Sequence, residues 1–369
     1  MSKQKILIIN SYAGSLTIAA SRRDLDIIGS FEDSGYGLKT QRLNFPKLNY
    51  IEATPWPRQD LRDVLVAAHP PCSAFSQLNV NMPHTQGADS EAFACTIKVM
   101  KYAMENKCKA LMIESVPRAL EGAAPVHELY AKKYGYSIFR VLQNAASFAI
   151  PQWRQRFWCI FLPERGRKLT LHLHPQTKVV GQCIDARAVG LLNPWIEKEF
   201  HKQVAGLRTG GLSSRQLEVL FDEGYGRLID VLARYHGVKN QDKLKLIPRY
   251  NLRKFHNGQL TLLKENDFAP VLTGNSVYIL NGRLLSAAEY NIIMGFPLDY
   301  KFHTGGHQRT YLSKGVCPPV AEWILGEVMR KTDKIPGLKI GDYLATLKDG
   351  ETATFLPKRE DAKKVGLFK

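Results

Sequence analysis

The chain has 369 residues, which predicts one large domain with a smaller one rather than a single small fold. Its hydrophobic content of 44% can bury a full core, and no run approaches the ~20 apolar residues of a membrane span. Lys and Arg outnumber Asp and Glu by 51 to 34, and the net charge of +17 favours a polyanionic partner such as nucleic acid over a solvated basic face alone. Six cysteines without CxxC or zinc-type spacing are too sparse for a disulfide framework, and the amino terminus has no secretory core. We therefore expect a soluble protein of a reducing cytoplasm.

The chain begins with a strand, helix and strand pattern. Residues 6–9 predict the first strand, residues 16–22 a helix and residues 25–31 the second strand, which ends at Glu32. A carboxylate at the end of the second strand of such a unit is typical of a nucleoside cofactor site, because it can accept both ribose hydroxyls. An acid in a loop or at a helix start is the other interpretation of Glu32.

The next apolar run, residues 63–68, is rich in β-branched residues and leads through His69 to two prolines and Cys72. A Pro-Pro turn at the carboxyl end of a buried parallel strand fixes the backbone where open α/β sheets keep their ligands. The pattern therefore predicts that Cys72 is a nucleophile at a crevice. An inert buried cysteine is the ordinary alternative.

Three further polar residues follow in the same half of the chain. Glu114 stands at the end of an apolar run, and Arg154 and Arg156 occupy alternate positions, which a strand would point to the same side. The predicted elements of this stretch are a helix at 90–107, a strand at 110–113 and a strand pair at 137–142 and 157–162.

The composition changes after Pro163. Residues 165–267 mix basic, aromatic and turn residues and lack the rhythm of strands and helices. His172 and His174 have the spacing of a possible metal pair, but without a nearby cysteine or acidic cluster we expect surface histidines of a strand. Helical periodicity returns at 286–294 and 318–330, which indicates that the chain re-enters its first domain.

Five segments in series carry a family resemblance. They are the Pro-Pro-Cys turn, Glu114-Ser115-Val116, Gln152 to Arg156, Arg283 to Pro297, and Gly315 to Ala321. In this order the chain resembles the cytosine-C5 DNA methyltransferase family from about Ile6 to Arg330. The resemblance implies an α/β fold, a Rossmann-like mixed sheet with flanking helices (the class I methyltransferase fold), plus a smaller target-recognition domain. The implied division is 1–164 as the first part of the catalytic domain, 165–267 as the target-recognition domain, 268–330 as the returning catalytic segment and 331–369 as a C-terminal appendage or tail.

The resemblance also implies catalytic roles. A thiolate added to C6 of cytosine turns the ring into an enamine that attacks an electrophilic carbon, and Cys72 corresponds to that thiolate. Glu114 corresponds to the carboxyl group that engages ring nitrogen N3. Arg156 corresponds to the cation at carbonyl O2, with Arg154 supporting the thiolate or the loop. The target base must leave the duplex to reach such a site.

By the same resemblance S-adenosyl-L-methionine is the donor, and the positions that match its site are Tyr12, Gly14, Glu32 and Lys314. Pro71, Ser73 and Gln77 match the base pocket and the start of the family's mobile loop. The first motif departs from the family, because Tyr12-Ala13-Gly14 keeps one of the usual glycines.

The last motif departs further. Where the family has Gly-Asn-(Ala/Ser)-Val, this chain reads Ser313-Lys314-Gly315-Val316. An ammonium group is repelled by a sulfonium, whereas it can pair with a donor that carries a carboxymethyl group. Lys314 therefore suggests carboxy-S-adenosyl-L-methionine as donor and 5-carboxymethylcytosine as product. The alternative is a lysine turned to solvent or to a DNA phosphate, with ordinary methyl transfer.

Two alternatives of another class remain open at this stage. The chain could be an inactive homologue that only binds DNA, because its first motif keeps only one of the usual glycines. It could instead modify RNA, since a related branch of the family acts on tRNA cytosine. We expect an enzyme that acts on double-stranded DNA as a monomer, without metal or membrane, in the cytoplasm of a bacterium or a phage-infected host.

Overall fold

A computed structural model gives the structure of the chain, and it describes residues 3–52, 55–76, 87–184, 260–274, 276–280, 283–303, 308–330, 339 and 342–355. Residues 185–259, most of the predicted target-recognition domain, lie outside the described residues, as does Gln77. The domain boundaries stay a prediction.

The centre of the structure is a seven-stranded sheet with the order β12-β5-β6-β4-β3-β1-β2. Neighbouring strands run parallel except β6, which pairs antiparallel with both β4 and β5. The strands are β1 (Lys5–Ile9), β2 (Asp26–Phe31), β3 (Val64–Ala68), β4 (Ala110–Ser115), β5 (Tyr136–Asn144), β6 (Gln155–Pro163) and β12 (Thr352–Phe355).

Helices cover both faces of this sheet, because alternate side chains of each buried strand point to opposite faces. On β1, Ile6 and Ile8 belong to one core cluster, and Leu7 and Ile9 belong to the other. The helices are α1 (Ser15–Arg22), α2 (Gly35–Asn44), α3 (Glu91–Glu105), α4 (Ala119–Gly122), α5 (Ala124–Tyr134), α6 (Val180–Cys183), α7 (Ala287–Met294), α8 (Gln308–Lys314) and α9 (Pro318–Met329). The expected mixed α/β fold is confirmed, including the antiparallel pair of β5 and β6.

Two smaller sheets accompany the central one. Strands β8 (Leu260–Leu263), β9 (Val277–Leu280) and β10 (Arg283–Leu284) form one of them, and β7 (Lys168–Leu173) pairs antiparallel with β11 (Tyr343–Lys348) in the other. No helix of the described residues is long and apolar enough to cross a membrane.

Of the residues expected to form an appendage or tail, the described residues 342–355 pack on the main body of the protein. β12 pairs in parallel with β5 and so becomes the edge strand of the central sheet. Its alternation buries Ala353 and Phe355 while the two threonines stay exposed. A half-buried edge strand of this kind needs a core to pack against, which the sequence pattern of so short a segment did not reveal.

Candidate active site

The turn after β3 presents Cys72 at the carboxyl edge of the central sheet. Pro70 and Pro71 end the strand, and Cys72 then directly precedes the short 3-10 helix Ser73–Phe75. Cys72 and Ser73 are half-buried, whereas Pro71 is exposed. Cys72 thus lies at the strand end where the sequence predicts a crevice.

Glu114 lies in β4, the strand beside β3, and its side chain is only 1% exposed. The Arg156 Nε atom lies 3.2 Å from its Oε1, and the His69 Nε2 atom lies 3.2 Å from its Oε2. Within the described residues neither carboxyl oxygen makes an aligned hydrogen bond. The carboxyl group is therefore held between two nitrogen groups and keeps capacity to bond a ligand.

Arg154 contacts a different part of the structure. Its buried guanidinium donates through Nη2 to the carbonyl oxygens of Ser313 and Gly315, at 2.8 Å each. The backbone N–H of Val316 lies 3.3 Å from the Ser15 hydroxyl oxygen, to which it donates. The segment that contains Lys314 is thus fastened between the start of β6 and the start of α1.

The site combines raised acid pKa values with two cations. Burial raises the pKa of Glu114 to about 7, although Arg156 and Arg154 oppose it. Burial also raises the pKa of the Cys72 thiol, which Arg156 lowers and Glu114 raises further. Burial, with help from Arg156 and Arg154, lowers the pKa of His69 to about 3, so this imidazole is neutral at neutral pH.

The loops after β1 and β2 contain Tyr12 and Glu32, which the family resemblance assigns to the site of the methyl donor. Glu32 accepts hydrogen bonds from the Tyr12 backbone N–H at 2.7 Å, the Ser34 backbone N–H at 3.1 Å and the Gln41 side chain at 3.0 Å. Burial raises the pKa of Glu32 to about 7. A carboxylate has about four acceptor positions, so three protein donors leave one position for a ribose hydroxyl.

An aromatic group lies beside this carboxylate. Tyr36 stacks on Tyr311 of α8, and the rings of Tyr311 and Tyr12 are 5.6 Å apart. Aromatic rings and a half-buried carboxylate are chemically suited to an adenosine group, because the rings can contact the adenine and the carboxylate can accept from the ribose. Lys314 ends α8, is exposed, and has no ion-pair partner in the described part of the chain.

The structure assigns Gly14 a packing role. It has φ 89°, and a Cβ atom there would lie 2.2 Å from the Tyr300 hydroxyl oxygen. That hydroxyl donates to the Ala13 carbonyl oxygen at 2.6 Å. The left-handed conformation and the close approach of Tyr300 both require glycine, so its retention does not depend on a cofactor contact.

His69 is the residue of the site that sequence reasoning passed over. It follows β3 directly, and the register that pairs Ala68 with Ile113 places it beside Glu114. The available signal was a polar residue at the end of each of two adjacent strands, although strand adjacency is not visible in the sequence.

His172 and His174, the two histidines at alternate positions, share one acidic partner. Both contact the carboxylate of Asp342, at 2.9 Å and 2.5 Å respectively. In the described residues no three His, Cys, Asp or Glu side chains are grouped to hold a metal ion.

The fold and the site together define a class I methyltransferase with a cysteine, a carboxyl group and an arginine at the strand ends. The family model for C-5 cytosine-specific DNA methylases matches residues 5–330, and the chain belongs to that family. This family uses S-adenosyl-L-methionine. No curated protein matches the sequence.

Solved structures share the fold at low identity. A DNA modification methyltransferase encoded within an Escherichia coli prophage has 14% identity and a TM-score of 0.56, with 88% of this chain and 98% of that chain covered. A variant of Spodoptera frugiperda DNMT2 has 14% identity and a TM-score of 0.53, with 89% and 100% covered. The Entamoeba histolytica methyltransferase EhMeth has 14% identity and a TM-score of 0.56, with 89% and 98% covered.

Proposed function

We propose that the chain transfers a one-carbon group from an S-adenosylmethionine-type donor to C5 of a cytosine flipped out of double-stranded DNA. The observation that carries the proposal is the meeting of Cys72, Glu114 and Arg156 where β3 and β4 end and the antiparallel β6 begins. Each of these side chains has one task in cytosine-C5 chemistry.

Cys72 supplies the nucleophile. Its thiolate forms a bond to C6, and the electrons of the C5–C6 double bond then make C5 able to attack an electrophilic carbon. Loss of the C5 proton and of the thiolate restores the aromatic ring. Because burial holds the pKa of the Cys72 thiol high, the nearby Arg156 is important for stabilising the reactive thiolate.

Glu114 and Arg156 activate the ring. A pKa of about 7 leaves much of Glu114 protonated at neutral pH, so it can donate to N3 as the thiolate adds. The guanidinium of Arg156 holds the carbonyl O2 and stabilises the negative charge that shifts onto it. Arg154 keeps the segment 313–315 against this centre.

Buried catalytic groups require base flipping. Glu114 is 1% exposed, so a cytosine stacked in a duplex cannot reach it. Unstacking a base costs a few kcal/mol, and the net charge of +17 favours contacts with the phosphate backbone that offset this cost.

The donor supplies an electrophilic carbon when it is bound. Glu32 would accept a ribose hydroxyl through its remaining acceptor position, and Tyr12, Tyr36 and Tyr311 would contact the adenine. These contacts orient the donor.

Lys314 favours a second candidate for the transferred group. It lies at the end of α8, on the segment that Arg154 and Ser15 fasten beside the catalytic centre, and in the described residues no acid pairs with it. A donor with a carboxylate would supply that acid, and the product would be 5-carboxymethylcytosine. Solvation of the exposed ammonium leaves ordinary methyl transfer as the alternative.

Covalent trapping tests the proposed chemistry. In the presence of S-adenosyl-L-methionine, duplex DNA with 5-fluorocytosine in place of cytosine should form a denaturant-stable adduct with the wild-type protein. After group transfer C5 carries fluorine instead of a proton, so the elimination that releases the thiolate is blocked. Cys72→Ser should form none, and Cys183→Ser, at another half-buried cysteine, should behave as wild type. DNA binding without an adduct would identify a binding module, and an adduct with 5-fluorocytosine RNA alone would move the substrate to RNA.

Mass analysis of the product tests the donor. The protein is incubated with DNA and each donor, the DNA is digested to nucleosides, and their masses are measured by mass spectrometry. Carboxymethylcytosine that Lys314→Asn abolishes would support the carboxylated donor. Methylcytosine alone, unchanged in Lys314→Asn, would remove it.

A further inference from the structure

His69 and Glu114 form a pair across two neighbouring parallel strands. His69 follows the last residue of β3, whose partner on β4 is the residue before Glu114. Both side chains are buried, with 7% and 1% of their surfaces exposed, and the His69 Nε2 atom lies 3.2 Å from Glu114 Oε2.

Among the described residues, five groups interact with the Glu114 carboxyl group. They are His69 at the end of β3, Cys72 in the turn after β3, Arg154 before β6, Arg156 in β6, and Cys317 before α9. Arg156 and His69 contact different oxygens, Oε1 and Oε2 respectively. The two neighbours therefore bracket the carboxyl group.

The surroundings of His69 select one tautomer. Its Nδ1 atom is buried without a hydrogen-bond partner among the described residues. A buried N–H donor without an acceptor is rarer in proteins than an acceptor without a donor, so the hydrogen of the neutral ring belongs on Nε2. In this tautomer the single N–H of the ring is on Nε2, the nitrogen that lies 3.2 Å from Glu114 Oε2.

This order of groups matches the edge of a cytosine base. Along the ring edge cytosine presents carbonyl O2, then N3, then the exocyclic amino group N4. The protein presents Arg156, Glu114 Oε1, Glu114 Oε2 and His69 in sequence. With Arg156 assigned to O2, Oε1 faces N3 and Oε2 faces the amino group.

We propose that His69 is a positioning and specificity residue, which keeps Oε2 of Glu114 an acceptor for the cytosine amino group and leaves the proton on Oε1 for N3. The inference rests on the proposed function. It follows that uracil and thymine are rejected, because each presents a carbonyl O4 to an oxygen that cannot donate. Loss of the His69 N–H frees the carboxyl proton to occupy Oε2 and weakens this rejection.

Three substitutions separate the role of the His69 N–H group from that of the size of its side chain. His69→Gln can place an amide N–H near the position of Nε2, whereas His69→Asn places it near Nδ1, away from Glu114. His69→Phe keeps the ring and removes both nitrogens. His127→Phe is the matched control, since His127 is another buried histidine of low pKa and lies among Phe93, Phe157 and Phe161.

The first measurement is the ratio of adduct rates with 5-fluorocytosine and 5-fluorouracil. The target base is placed opposite an abasic site, so that neither base has a pairing partner to lose. We expect His69→Gln and the control to keep the wild-type ratio within about threefold, and His69→Asn and His69→Phe to lower it by about tenfold or more. Equal ratios in His69→Asn and His69→Gln would overturn the proposal.

The second measurement requires no DNA. The infrared band of the protonated Glu114 carboxyl group, identified by its loss in Glu114→Gln, is followed against pH. Removing an N–H donor to the carboxylate should raise the pH at which half of this band is lost. We expect a rise of about one pH unit in His69→Phe and no change in His69→Gln. An unmoved midpoint in His69→Phe would also overturn the proposal. Absence of any wild-type adduct would count against the proposed function, while this titration would still test the contact.

Discussion

Replacing His127 with Phe should remove part of the acid sensitivity of the fold. His127 is 2% exposed, and in the described residues neither ring nitrogen has a hydrogen-bond partner. Burial, with a smaller effect of Arg140, lowers its pKa from 6.5 to about 3. In the unfolded chain the imidazole binds a proton below pH 6.5, while in the folded chain it stays neutral down to about pH 3. The folded state is therefore destabilised as the pH falls through this window.

The two pKa values give the size of the effect. At pH 4.5 the unfolded imidazole is almost fully protonated, so His127 disfavours the folded state by about 3 kcal/mol relative to pH 8. His69 adds a contribution of the same sign, but it does so in the wild type and the variant alike. The difference between the two proteins isolates His127.

Urea unfolding at several pH values between 8 and 4.5 measures this difference. His127→Phe should match the wild type to within about 1 kcal/mol at pH 8, since an aromatic ring replaces an aromatic ring among phenylalanines. It should then lose about 3 kcal/mol less than the wild type on acidification. His303→Phe, at an exposed histidine, controls for the general effect of replacing a histidine with phenylalanine. Parallel pH curves for His127→Phe and the wild type would refute the reasoning.

Three further predictions concern the site and the sheet edge. Arg154→Lys should lower the unfolding free energy by about 1–3 kcal/mol in urea, because the shorter side chain does not reach the position of Nη2, from which Arg154 bonds the carbonyls of both Ser313 and Gly315; stability equal to the wild type would contradict this clamp. Glu114→Gln should shift the alkylation of Cys72 by iodoacetamide to lower pH, because the carboxylate raises the pKa of that thiol; an unchanged or higher midpoint would show that the two groups do not interact. Phe355→Ala should cost about 3–5 kcal/mol in thermal or urea unfolding, since the ring is 3% exposed at the edge of the central sheet; a loss below about 1 kcal/mol would mean that β12 contributes little to the core.

The sequence by itself determined the local features of the site. The Pro-Pro turn after an apolar run located Cys72 at a strand end, and the same kind of run located Glu114. Short stretches determine such features because strand periodicity and the fixed φ of proline act between near neighbours. The order of motifs identified the family for the same reason, since each motif is a contiguous segment.

Only the tertiary structure decided which distant residues meet. Arg154 bonds carbonyl groups 159 and 161 positions away, and His172 contacts Asp342 across 170 positions. Strand order brought His69 beside Glu114, the approach of Tyr300 explained Gly14, and packing on β5 drew β12 into the sheet. Such contacts depend on how strands and helices pack over the whole core, and the residues that make them carry no local pattern that names their partners.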